Sequence, residues 1–133
     1  MDCPGCKEPM VVLELEEVEI DYCAECGGVW LDAGELELLL EGAEAEERLM
    51  NSFACDNKHK EDLVKCPICL KRMEKVSCGE GGKVRLDKCK KNDGIWFDKG
   101  ELEDVLESAG LDGNDKVLNL LKDMFGRKNL KGE

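Results

Sequence analysis

The sequence predicts a small α+β protein made of two tandem ββα modules and a C-terminal helix. Each module is expected to run as a cysteine knuckle, a β-hairpin, a second knuckle and a helix. Three observations carry that expectation. The cysteines gather in C-x2-C pairs, the segment around them recurs once along the chain, and in each copy a period-2 apolar pattern gives way to a helical one. The expected divisions are residues 1–50 for the first module, 51–110 for a linker and the second module, and 111–133 for the C-terminal helix and tail.

The repeat is read directly from the residues. Cys3-Pro4-Gly5-Cys6 aligns with Cys66-Pro67-Ile68-Cys69 at an offset of 63, and the stretch from Cys23 to Leu36 aligns with Cys89 to Leu102 at an offset of 66. The second copy has therefore gained three residues between its halves, and Trp30 and Trp96 fall in register.

Each element follows from its pattern. In the first copy Val11, Leu13 and Leu15 alternate with Val12, Glu14 and Glu16, and Val18, Ile20 and Tyr22 alternate with Glu19 and Asp21. That is the signature of two half-buried strands turning near Glu16-Glu17. In the second copy Val76 and Cys78 belong to one strand, Val84 and Leu86 to the next, and Gly79 to Gly82 form the turn that absorbs the insertion, where extra residues cost little. Asp32-Ala33-Gly34-Glu35 and Asp98-Lys99-Gly100-Glu101 resemble capping boxes: the Asp accepts an amide of the first turn while the Glu reaches back. Leu36, Leu39 and Leu40 form one apolar helix face, and Leu102, Val105 and Leu106 form its counterpart. The first helix is expected to continue through Ala43 to Leu49 or beyond, despite Gly42, and Gly110 to cap the second. Residues 51–64 read as a polar linker, and Asp115 to Phe125 as an amphipathic helix with Val117, Leu118, Leu121 and Phe125 on one side. The Leu38-Leu39-Leu40 cluster is expected to pack between the modules, and the tail helix to dock a partner or dimerise.

Nine cysteines in a 133-residue chain with 5% aromatic and 38% charged residues suggest what replaces a large apolar core. Modules of about 50 residues bury too little apolar surface alone and usually need disulfides or metal. The odd cysteine count argues against a closed disulfide framework. The first residues contain no basic segment followed by an apolar run, and no stretch approaches the roughly 18 apolar residues of a membrane span. A reducing, cytoplasmic setting without membrane insertion is therefore expected, and there C-x2-C pairs read as metal ligands.

Cys3, Cys6, Cys23 and Cys26 give C-x2-C, sixteen residues, C-x2-C, the spacing of a four-cysteine zinc site. Each knuckle turn aims two sulfurs at one point, and two knuckles complete a tetrahedron. Gly27 and Gly28 admit backbone conformations closed to other residues. In the second copy Cys66, Cys69 and Cys89 match, but Asn92 stands where the fourth cysteine would be. A structural zinc site is closed, so a fourth donor is expected. Asp93, one residue along, is the first choice, ahead of Cys78, His59, Asn92 or water. Two zinc ions, one per module, are the expected cofactors. Cys78 aligns with the apolar strand position Leu15 and reads as a core residue, His59 as a solvated linker side chain, and Cys55 as an unliganded thiol.

The string CPxC, a hairpin, then CxxCGGVWLDxGEL resembles the zinc-ribbon family named after transcription factor IIB. Residues 3–36 follow its pattern, and residues 66–102 follow it apart from Asn92. The resemblance implies zinc held by Cys3, Cys6, Cys23 and Cys26 and by their counterparts in the second copy. Second copies of the family often carry His at the position of Asp93, which supports Asp93 as the ligand. The family name points to transcription, but fold does not determine function.

The net charge of −12 weighs against binding a phosphate backbone, and the basic stretches Lys83 to Lys91 and Arg127, Lys128, Lys131 read as solvated faces. The leading expectation is a non-enzymatic, zinc-dependent adaptor for a protein partner with a basic surface. The alternatives are a nucleic-acid-binding ribbon, and an iron, redox or zinc enzyme using the incomplete second site. Trp30 and Trp96 are expected to pack each beside its own knuckle, and Asp32, Glu35, Asp98 and Glu101 to cap helices rather than catalyse.

Overall fold

The computed structural model describes residues 1–15, 18–41, 46–55, 64–79, 84–108, 110 and 119. In the first copy β1 (Val11–Leu15) and β2 (Val18–Tyr22) form the expected hairpin, with Leu13 opposite Ile20 and Leu15 opposite Val18. Val18 and Ile20 are buried and Glu19 is exposed, as a pleated strand with one wet face requires. A third strand, β3 (Val29–Asp32), then pairs with β2 before α1 (Glu35–Leu40) begins. Next come α2 (Glu46–Asn51) and the short β4 (Ala54–Cys55). The second copy repeats the plan as β5 (Glu74–Cys78), β6 (Val84–Lys88), β7 (Gly94–Phe97) and α3 (Glu101–Ser108).

Each copy adds a third strand to the expected two-module α+β layout. Val29-Trp30-Leu31 and Ile95-Trp96-Phe97 are strong strand formers. They join the two copies into one seven-stranded antiparallel sheet, ordered β1-β2-β3-β7-β6-β5-β4. At the seam Trp30 lies opposite Trp96, Val29 opposite Phe97 and Leu31 opposite Ile95. Each copy alone would leave this apolar strand as an open edge; pairing satisfies its backbone and buries its side chains.

Alternation along β3 and β7 creates two cores. One face carries Val29, Leu31 and Phe97 under the helices, with Leu36, Leu39 and Leu40 from α1 and Leu102, Val105 and Leu106 from α3. The other carries Trp30, Trp96 and Met73 with Cys3, Cys23, Cys66 and Cys89.

The helices depart from expectation in two ways. The first does not run on to Leu49: α1 ends at Leu40, Glu41 turns extended at ψ 125°, and α2 is a separate helix whose Leu49 is buried in the same core. Gly42 follows this break, and glycine is a poor helix former. The Leu38-Leu39-Leu40 run divides, with Leu39 and Leu40 buried in the helix-side core and Leu38 exposed. The segment expected to be linker contributes β4, with Ala54 opposite Ser77 and Cys55 opposite Val76. Gly110 donates to Glu107 O at 3.0 Å, the expected cap. Glu16-Glu17, Glu80 to Gly82, Gly42-Ala43, linker residues 56–63 including His59, and the tail helix apart from Asn119 lie outside the described residues.

Candidate metal centres

Three of the four knuckle turns share one backbone device. A residue in the left-handed region closes the loop: Lys7 at φ 70°, Gly27 at 79° and Leu70 at 65°. Each donates its N–H to the carbonyl of the first cysteine of its pair, Cys3, Cys23 or Cys66, at 2.8–2.9 Å. Amides inside the turns point at sulfur: Gly5 and Cys6 N–H donate to Cys3 Sγ at 3.3 and 3.4 Å, and Cys26 N–H to Cys23 Sγ at 3.5 Å. Such donors favour the thiolate that a metal needs.

The fourth knuckle is remodelled. Its left-handed residue comes one position early, at Asn92 (φ 65°), whose N–H reaches Cys89 O at 3.0 Å. Asn92 itself is exposed, and Asp93 is carried to the ligand position. The loss of the fourth cysteine and the recruitment of the next residue are therefore one backbone change.

The donor atoms converge in two groups: Cys3, Cys6, Cys23 and Cys26, and Cys66, Cys69, Cys89 and Asp93, each with all four atoms within 4.8 Å of one another. In the first, Cys3 Sγ lies 3.5 Å from Cys26 Sγ and Cys6 Sγ 3.3 Å from Cys23 Sγ. In the second, Asp93 Oδ2 lies 3.5 Å from Cys66 Sγ and 3.4 Å from Cys89 Sγ, and Cys69 and Cys89 sulfurs are 3.8 Å apart. A tetrahedral zinc with Zn–S near 2.3 Å and Zn–O near 2.0 Å has S···S edges of about 3.8 Å and S···O edges of about 3.5 Å. Both clusters fit a zinc ion, the first with four sulfurs and the second with three sulfurs and one oxygen.

The thiols of the two clusters differ in acidity. Burial pushes the Cys66 thiol up to about 12, so it stays protonated near neutrality unless a positive charge arrives. Burial also pushes on Cys23, but the Cys26 amide and the neighbouring thiols stabilise its anion and bring it down to about 7. Cys78 lies apart from both groups, fully buried in the helix-side core, where desolvation raises its thiol to about 11. Cys55 is exposed, 3.5 Å from Glu74 Oε1. None of the nine cysteines is bridged to another.

The tryptophans also correct an expectation. Trp30 and Trp96 are buried among the cysteines, but each reaches across the seam to the other copy's knuckle. A side chain on Gly28 would collide with the Trp96 ring, and one on Gly94 with Trp30 and the Leu31 carbonyl. The antiparallel seam puts the two rings opposite each other on one face, and a glycine of the facing copy leaves room for each. Each indole N–H is then satisfied by its own strand, Trp30 Nε1 donating to Asp32 Oδ1 at 2.9 Å and Trp96 Nε1 to Asp98 Oδ1 at 3.0 Å.

That bond removes the Asp side chains from helix capping. The N-cap of α1 is Gly34, with no side-chain cap. Only the returning half of the capping box forms, with Glu35 and Glu101 Oε1 accepting the Asp32 and Asp98 amides at 2.8 Å. Sequence reasoning missed the indole–carboxylate pairs, although the repeated Trp-x-Asp spacing on a strand, which puts both side chains on one face, was a usable signal.

Among the described residues no helix is long and apolar enough to cross a membrane. Comparison with curated proteins found no match, and neither did comparison with solved structures. A family model described as transcription factor zinc-finger, of the TFIIB zinc-ribbon type, matches residues 2–42 and again 65–108. Those segments hold both donor clusters and most of the shared sheet, and the chain belongs to that zinc-ribbon family.

Proposed function

We propose that this zinc-binding protein is a structural adaptor: two zinc ions, held by Cys3, Cys6, Cys23 and Cys26 and by Cys66, Cys69, Cys89 and Asp93, rigidify a sheet that docks another protein. The observation that carries this reading is the count of donors. Each cluster supplies four converging side-chain atoms, enough to close a tetrahedral zinc. A catalytic zinc keeps a position for water or substrate, and four protein donors use them all. The tryptophans and the paired carboxylates are engaged with one another and with helix starts, which suits a supporting role.

Native mass spectrometry and native co-purification test the proposal together. Two zinc ions per chain are expected. Co-purifying protein should depend on metal and vanish with a Cys23→Ser/Cys89→Ser chain. Turnover-dependent chemistry at the second site, or a complex that forms equally well with the metal-free chain, would replace the adaptor reading.

A further inference from the structure

We infer that the metal-binding end of the second module docks an acidic segment of a partner protein that also carries apolar side chains; this deepens the adaptor reading and rests on it, and at this end of the molecule it replaces the basic-surfaced partner that the net charge alone suggests. Charge is distributed unevenly between the copies. Residues 1–41 carry 12 acidic side chains and one basic, whereas residues 64–108 carry 9 acidic and 10 basic. The surplus gathers around the second cluster. Lys65, Lys71 and Arg72 flank its first knuckle and Lys90 and Lys91 sit in its second, all five exposed. The isolated bridge between Lys65 and Arg72 places those two side by side. Within the same two stretches, 64–73 and 89–93, the one carboxylate is Asp93, which belongs to the metal cluster.

Between these cations the first knuckle presents two apolar side chains. Ile68 is 48% exposed and Leu70 is 68% exposed. Leu70 takes the left-handed position that closes the knuckle, as Lys7 does in the first module. The same positions in the first module are Gly5 and Lys7, so the apolar tip is particular to the second.

The mixture selects the occupant. Five cations call for carboxylates or phosphates, and two aliphatic side chains call for apolar anchors between the charges. A long polyanion or an anionic membrane extends past this patch and meets a molecule of net charge −12. The two tryptophans, which could stack on bases, are buried. A short acidic, partly apolar peptide segment matches both the cations and the two aliphatic side chains of the patch.

The test uses the full zinc-loaded chain and three probes: a fluorescein-labelled 12-residue peptide alternating Asp or Glu with Leu, a labelled oligothymidylate of the same length, and phosphatidylserine-containing vesicles. The peptide should bind best, weaken as salt rises, and lose at least tenfold in affinity with Leu70→Asp and with Lys71→Glu/Arg72→Glu. A Lys7→Glu chain, altering the equivalent position of the first module, should bind unchanged. Zinc content and circular dichroism of every variant establish that it is folded. No peptide binding, equal binding by the charge-reversed chain, or tighter binding of the oligonucleotide or vesicles overturns the inference. A zinc count of two in that case leaves the metal assignment standing, so the two failures are distinct.

Discussion

The two copies share a plan, and three of their differences exchange one kind of interaction for another. The fourth donor is Cys26 in the first and Asp93 in the second, so a soft thiolate is replaced by a hard carboxylate. The strand pair Val12 and Asp21 of the first becomes Lys75 and Asp87 of the second. Lys75 Nζ lies 3.0 Å from Asp87 Oδ1, and Asp87 is 2% exposed. Asp21 has no lysine opposite it; desolvation raises its carboxyl, and Asp32 and Glu19 raise it further. The knuckle tip changes from Gly5 and Lys7 to Ile68 and Leu70. One module has the softer metal cage and the more self-repelling surface; the other has the harder cage and internally balanced charge. The copies are also mechanically joined, since the backbone carbonyl of Asp93, whose carboxylate belongs to the second metal cluster, accepts the Ala33 amide of the first copy at 3.0 Å.

The largest effect expected is metal removal. A structural zinc contributes on the order of 10 kcal/mol of apparent folding free energy in small zinc domains, so exhaustive chelation should abolish the native circular dichroism. Graded chelation sharpens the comparison: native mass spectrometry should pass through a one-zinc species in which Cys3, Cys6, Cys23 and Cys26 resist alkylation. Loss of the first module's zinc first would reverse the ranking of the two cages.

Next in size are the seam tryptophans. Trp96→Ala should destabilise the chain by about 3–5 kcal/mol, and because the ring packs on Gly28 it should loosen the first module's knuckle as well as the second's. Hydrogen exchange confined to residues 64–108 would show that the copies are not coupled through the seam. Lys75→Met leaves Asp87 buried without its partner and should lower stability by about 2–3 kcal/mol, read as a shift in the denaturation midpoint. The matched Val12→Lys change should raise stability by well under about 1 kcal/mol, since Val12 is 63% exposed.

Asp93→Ala should reduce zinc from two ions per chain to one under mild competition, a weakening of tenfold or more, at least about 1.4 kcal/mol. Two ions held as tightly as before would move the fourth ligand elsewhere. A pH-dependent effect concerns Glu101, which burial, and then the charges of Asp98 and Asp87, raise from 4.5 to about 7 despite the Asp98 amide it accepts. Its raised value means that the folded state favours the protonated form. Its contribution is full below pH 4.5 and is lost as pH rises through about 7. Glu101→Gln keeps the bond to the Asp98 amide, so its advantage over the parent should be larger at pH 8 than at pH 6. Urea midpoints of the zinc-loaded proteins at pH 6 and 8 would measure this.

The α+β class, the two-module layout, the hairpins, both buried helix faces and the eight residues that converge in two clusters were legible in the sequence, because each rests on local spacing. A C-x2-C turn, a period-2 strand and a helix stripe are set by neighbours a few residues apart. Asp93 was reachable because a tetrahedral centre demands a fourth donor, although the backbone shift at Asn92 that delivers it was not. Only the tertiary structure decided that β3 and β7 join the copies, that each tryptophan crosses to the other copy's glycine, and that Asp32 and Asp98 hold indoles instead of helix amides. These contacts bring together residues more than sixty positions apart, or force one side chain to choose between two legitimate partners. Local pattern is silent on both, since the choice is made by which apolar surfaces the whole chain can bury together.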